Sequence, residues 1–274
     1  MFAGFMLGTW MVGTLAALVA GVVGVFVVLR GSAFAAHTLP LSAFPGAAAA
    51  SLVGRSQILG MVLFAGVGVV GIARLPRRDD HDVGTALTLV TLLGLGALFL
   101  SLTNGYASEV YALLFGQVLG VGVRDLTVVA IMGAVAIAAT AVFYRPLLLT
   151  SISSELAEAQ GVSCEQMDVI FLILLALTTV MTLPIVGALL VFSLLVGPPA
   201  AARMLTKTPL HTVLLSVVLA LLVTWLAIAL SYLTNWPIGF FVGALGALAY
   251  GAGVAWSAWR GRSRRDVAGA TRAI

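Results

Sequence analysis

Groups able to bind a cation, pass a proton or attack a substrate are scarce in this sequence, so their placement decides what they can do. The imidazoles are His37, His81 and His211, and the one thiol is Cys164. His37 stands inside a long uncharged stretch, where a ligating or ionisable side chain is a functional-site candidate. At headgroup level beside Arg30 the same residue would have only an interfacial role, and the sequence leaves both readings open. His81 follows Asp79 and Asp80 and precedes Asp82, a run able to hold a cation but equally a solvated loop. His211 opens an apolar run and reads as interfacial, while Met181, Asn104 and Asn235 add only weak ligands. A single cysteine excludes an internal disulfide and any cysteine-cluster metal site. The H-E-x-x-H pair of a metalloprotease and the G-x-x-x-x-G-K-[ST] phosphate loop are both missing.

The elements that carry these residues are set by composition. Hydrophobic residues make up 61% of the 274 and charged ones 9%, against roughly 25% charged in an ordinary soluble domain. No Asp, Glu, Lys or Arg occurs from Phe2 to Leu29, Gly31 to Gly54, Ser56 to Ala73, Val83 to Ser108, Val169 to Ala202 or Thr208 to Trp259. A charge at mid-bilayer costs about 2.5–3.5 kcal/mol even on the lenient insertion scale, and each crossing needs about 20 apolar residues. The chain therefore reads as an all-α, polytopic transmembrane helix bundle. Spans are predicted near 5–29, 35–53, 57–74, 83–103, 126–144, 167–182, 185–202, 212–231 and 238–259. Residues 1–262 form the membrane domain, and 263–274 a short basic tail whose composition predicts disorder. Met1–Leu29 has no basic region ahead of its apolar run and reads as a span, not a cleaved leader.

Two spans carry irregularities. The second holds Pro40, Pro45 and His37, the marks of a broken or re-entrant helix. The 34 uncharged residues Val169–Ala202 are too many for one crossing, and Pro184 with Gly187 supplies a break. Basic residues set the orientation: Arg30, Arg74, Arg77, Arg78, Arg145, Arg203, Lys207, Arg260, Arg262, Arg264 and Arg265 fall on one side, which is then cytoplasmic. Arg55 and Arg124 fall on the other. Small residues repeat every four positions at Gly13, Ala17 and Gly21, and at Gly239, Gly243, Ala247 and Gly251. Such stripes let helices approach closely in lipid and speak for a bundle, not for a function.

The stretch Tyr144–Asp168 predicts a short amphipathic helix on the cytoplasmic side, about 152–162. Ser154 is a candidate cap, Glu155 and Glu158 fall in the first turns, and Gly161 can end the helix. Interfacial anchors are usually basic on their polar face. This helix has two acids and no Lys or Arg, which favours docking to a soluble partner.

Here a family resemblance enters. Leu156-Ala157-Glu158-Ala159-Gln160-Gly161-Val162 resembles the coupling helix of ATP-binding-cassette permeases that import zinc or manganese. Phe34–Gly46 is similar to that family's second-segment signature, Glu109–Gly122 to its outer leu-phe-gly element, and Gly187–Leu205 to its seventh-segment signature. The four matches run through nearly the whole chain in order. The resemblance implies a permease subunit in the plasma (inner) membrane, without its own nucleotide site or bound cofactor. ATP would be used by a separate cytoplasmic subunit gripping Ser154, Glu155, Leu156, Ala157, Glu158, Ala159 and Gly161. An extracellular binding protein would deliver solute to outer loops bearing Arg55, Glu109 and Arg124, and a second permease copy, identical or a sister, would complete the pathway. His37 is the metal-ligand candidate. Members of the family often place further ligands where this chain has Leu41 and Leu89, which puts the usual intramembrane site in question.

Other classes fit less well. A proton- or sodium-driven transporter generally needs ionisable residues at the midplane, and the predicted spans offer His37 alone. An intramembrane enzyme would need paired polar groups, and no Ser/His or Glu/His pair at i, i+4 occurs in the spans.

Overall fold

A computed structural model of the chain describes residues 4–74, 81–102, 114–116, 123–188 and 190–270. The described residues form eleven helices and no strands: α1 (Gly4–Leu29), α2 (Ala33–Leu52), α3 (Gln57–Ala73), α4 (His81–Ser101), α5 (Val123–Val142), α6 (Tyr144–Ile152), α7 (Ser154–Ala159), α8 (Cys164–Val186), α9 (Val191–Leu205), α10 (Pro209–Thr234) and α11 (Ile238–Ala270). Nine of them overlap the nine predicted spans. By length and hydropathy, α1, α8, α10 and α11 each suffice to cross a bilayer. The bent pair α5–α6 does so jointly, and α3, α4 and α9 are shorter apolar helices.

The helices form because lipid offers no partner for a bare backbone N–H or C=O, so every peptide group must bond within its own segment. Their outward faces carry Leu63, Leu87, Val90, Ile131, Leu214, Leu233 and Leu248, all exposed. A soluble surface would not expose so many large apolar side chains together; hydrocarbon covers them. The inner faces bury Val19, Val23, Phe26, Leu39, Leu175, Met181, Leu183, Leu194 and Leu195. The small-residue stripe of α1 sits on α10, where a Cβ at Gly21 would lie 2.7 Å from the Val217 backbone and one at Gly13 2.9 Å from Ile228. The stripe of α11 is used only in part: Gly239 is tightly enclosed, whereas Gly251 faces open space.

Three expectations are corrected. First, α2 is neither broken nor re-entrant: it runs without interruption through Pro40 and Pro45, both buried. Prolines are tolerated there because neighbouring helices enclose them; they leave the Ala36 and Leu41 carbonyls without a helix N–H, and in the turns around them Thr38 donates to Phe34 O at 2.9 Å and Ser42 to Leu39 O at 2.8 Å. Secondly, of the two residues expected to break the chain between α8 and α9, Gly187 does so and Pro184 does not. Proline sits inside the last turn of α8, and Gly187 turns the chain at φ +85°, a region favouring glycine. Thirdly, Tyr144–Ile152 is helical instead of a connection and meets α5 at 65°.

The charge distribution agrees with the sequence reading. Arg30, Arg74, Arg145 and Arg203 gather at one end of the bundle, where Arg203 donates to Val28 O at 3.1 Å. Arg55, exposed in the turn after α2, lies at the opposite end. The backbone of α11 continues past residue 262 to Ala270, and residues 271–274 lie outside the described residues.

Candidate functional site

The basic end of the bundle holds the most organised polar structure. There α7 is a single short helix defined at both ends by side-chain and backbone chemistry. The cap is Ser153, not Ser154: its Oγ accepts from Leu156 N at 3.2 Å, and its extended backbone (φ −152°, ψ 117°) is that of a cap residue. Ser154 is already inside the helix and exposed. At the far end Gly161 takes φ +76°. Its N–H bonds to Glu158 O at 2.9 Å and that of Val162 to Ala157 O at 2.9 Å, the paired bonds of a glycine-terminated helix. Ala157 is fully buried and anchors the turn, while Glu155, Leu156, Glu158 and Ala159 face outward. Cys164 donates its thiol hydrogen to Ser154 O at 3.7 Å and is otherwise a buried packing group. Leu156 and the neighbouring Ile152 are 50% and 67% exposed. An apolar tip ringed by two carboxylates is thus presented at this face.

Behind α7 lies a cavity of about 350 Å³, lined by residues of α2, α3, α6, α7 and α8. Its wall contains an ion pair that the sequence reading did not join. Arg30, just past α1, reaches Asp168 in the first turns of α8 at 2.6 Å. It also donates to Thr150 Oγ1 in α6 and stands 5.0 Å from the Phe171 ring centre. The signal available in sequence was that Arg30 and Asp168 are each the last charge before a long apolar run, and so lie at a membrane boundary.

His37 sits on α2 four residues beyond its start, about 6 Å along the axis. It is half-buried, with its ring edge-on to Phe192 of α9 at 5.5 Å. Leu41, one turn further on, is buried, and Leu89 on α4 packs against the core. Among the described residues no group of three His, Cys, Asp or Glu side chains converges as a metal site. The sequence-predicted ligands are accordingly dispersed. Met181 is buried under Gly133, His211 is exposed and shares a hydrogen with Thr208 Oγ1 at 2.5 Å, and Asn235 ends α10 in the left-handed conformation. Only the backbone of His81 is described, and Asn104, Asp79 and Asp80 lie outside the described residues.

At the opposite end, Leu114–Gly116 is the described part of the outer leu-phe-gly element. It packs on the Gly187 turn so closely that a Cβ on Gly187 would lie 2.4 Å from Leu114 O. Two elements noted separately in the sequence, 109–122 and 187–205, therefore meet. Arg55 is exposed there; Glu109 lies outside the described residues, and only the backbone of Arg124, in the first turn of α5, is described.

The model of the ABC 3 transport family matches residues 3–256. The manganese transport system membrane protein MntC of Halalkalibacterium halodurans is 30% identical over 195 residues, 70% of this chain and 67% of the relative. The high-affinity zinc uptake system membrane protein ZnuB of Haemophilus influenzae is 29% identical, covering 77% and 81%. Among solved structures, PsaBC from Streptococcus pneumoniae in complex with Fab matches with TM-score 0.84 at 22% identity, over 92% of this chain and 91% of that one.

Proposed function

This chain belongs to the ABC 3 transport family, a multi-pass plasma-membrane transport component, and from that premise we propose that it is the permease subunit of an ATP-driven importer of divalent zinc or manganese. The relatives named for manganese and zinc transport support the cargo. The single observation that carries the division of labour is α7: a capped helix whose apolar tip and two carboxylates point away from the bundle at its basic end. Such a projection fits a groove on a soluble partner, and the chain has no phosphate loop of its own. The partner is therefore a separate cytoplasmic ATP-binding subunit, which uses the ATP, with Ser154–Ala159 and Gly161 as its contact. This chain binds no cofactor and carries no catalytic site.

Metal would reach the outer face on an extracellular binding protein, docking near Arg55, Glu109 and Arg124. It would pass between two permease copies, with His37 as the one imidazole on the path. Selection then falls chiefly to the binding protein, because a lone imidazole is a poor cage for zinc or manganese.

The test is a mild-detergent pull-down of the tagged full chain with elemental analysis of the cells. An ATP-binding subunit should co-purify and be lost when Leu156→Glu removes the apolar tip. Deletion of the chain should lower cellular zinc or manganese. A protein that purifies alone, with unchanged cell metal, would sink the reading in favour of an ion-coupled transporter.

A further inference from the structure

Between α3 and α8 the lipid-facing surface of the bundle is cut by a groove of about 340 Å³ lined by apolar residues alone. Val62 and Val70 on α3 and Ile173 on α8 form its exposed rims, and Ala65, Ala176 and Val180 its buried floor. Gly66 leaves one wall open, since an added Cβ would meet nothing within 4 Å. The groove follows α8 from Val169 to Val180, about 16 Å at 1.5 Å per residue. Half of a bilayer's hydrocarbon core is about 15 Å, so the groove has the length of one leaflet, and it ends at the basic side of the bundle.

At that end it does not close. Val169 borders both the groove and the cavity behind α7, and Val70 in the groove is followed by Ile72 and Ala73 in the cavity wall. One space thus passes from hydrocarbon into a polar chamber at headgroup depth, where Arg30 and Asp168 mark the membrane boundary.

The groove by itself selects nothing, because an acyl chain entering it from bulk lipid gains no hydrophobic energy. Selection falls to the chamber. Among its charged residues Arg30 and Asp168 neutralise each other at 2.6 Å. Glu165, in the first turn of α8, is exposed and has no ion pair among the described residues, so the wall keeps one negative charge. Such a wall repels an anionic headgroup and attracts an ammonium. On the α3 side Arg74 follows the lining residue Ala73 and is exposed, and Ser32 and Ser154 line the chamber with hydroxyls able to donate to a phosphate oxygen. A cation towards one helix and a carboxylate on the other match a headgroup that carries a phosphate and an ammonium in series.

We propose that this space is a site for one phospholipid of the cytoplasmic leaflet with a primary ammonium headgroup, as in phosphatidylethanolamine. One acyl chain lies between α3 and α8, the phosphate sits by Arg74 and the ammonium reaches Glu165. The site requires neither a cargo nor an ATP-binding subunit, so it is tested apart from the function proposed above.

The full chain, delipidated in mild detergent, is titrated with phosphatidylethanolamine, phosphatidylglycerol or phosphatidylcholine and read by native mass spectrometry. Phosphatidylethanolamine should bind as one equivalent about fivefold more tightly than either of the others, the scale of one favourable ion pair. Phosphatidylcholine has the positive charge but no N–H to donate to Glu165. Glu165→Gln should erase the preference and leave the equivalent bound. Gly66→Leu, which fills the groove, should weaken all three lipids about tenfold through lost chain contacts. In nanodiscs, phosphatidylethanolamine carrying a diazirine on its acyl chain should label 62–70 and 169–180. Tighter phosphatidylglycerol, or a preference that survives Glu165→Gln, overturns the proposal. Labelling spread evenly over the outward faces of α10 and α11 means annular lipid only and overturns it too. So does a dimer without bound lipid that Gly66→Leu dissociates, which would give the groove to a second copy. If Gly66→Leu does not fold, the labelling and the exposed-site variant Glu165→Gln decide.

Discussion

The crossing of α2 and α3 permits a substitution whose effect can be worked out from geometry. At this crossing the two backbones nearly touch: a Cβ on Gly46 would lie 2.0 Å from Gly60 O and 2.8 Å from Phe64 Cβ. One on Gly60 would lie 2.0 Å from Gly46 O. A carbon–oxygen contact needs about 3.3 Å, so Gly46→Ala forces the helices apart by about 1.3 Å. A gap of even 0.5–1 Å forfeits about a quarter to a half of each neighbouring contact, and overpacking typically costs about 1–3 kcal/mol. Alanine returns about 1 kcal/mol through helix propensity, leaving a net loss of up to about 2 kcal/mol. Gly66, also in α3, is the internal control, because nothing lies within 4 Å of its missing Cβ. Gly66→Ala should be neutral or stabilise by up to about 1 kcal/mol. Reversible unfolding in mixed micelles, followed by tryptophan fluorescence, should separate the two variants by about 1–3 kcal/mol, the overpacking cost, because the propensity gain is common to both. Equal midpoints would show that α2 and α3 do not meet at Gly46.

Two further outcomes follow from the site. Ser153→Ala should destabilise α7 by about 0.5–2 kcal/mol, the usual cost of a lost cap, while Ser154→Ala should leave it unchanged; amide exchange at residues 156–159 reads the difference. His37→Ala should lower metal uptake by about an order of magnitude, the scale of a perturbed ligand sphere, with ATP hydrolysis retained, and unchanged uptake would make His37 a headgroup-level residue.

What the sequence made legible was depth in the membrane, and what it concealed was direction around each helix axis. Depth is encoded by charge: Arg30 ends one uncharged run and Asp168 precedes another, so each had to lie at a boundary. That the two face each other is a matter of rotation, and a helix apolar on all sides carries no stripe from which rotation can be read. The same limit explains the close crossing at Gly46 and Gly60. Both glycines were visible, but small residues are common in such helices and do not say which neighbour they admit. Local chemistry was legible where one residue type has one meaning, as with Gly161, and ambiguous where adjacent residues share it, as with Ser153 and Ser154. Helix α6 was missed although Pro146 in its first turn is a permitted start, because proline next to Arg145 after an apolar span reads equally as a loop. The metal ligands mark where this reasoning reaches furthest. Depth places His37 and Leu41 on one segment and Leu89 on another, and the fold keeps these leucines in packed surroundings. His37, half-buried against the Phe192 ring, is thus a candidate ligand by its depth alone, and depth does not say what faces it across the bundle.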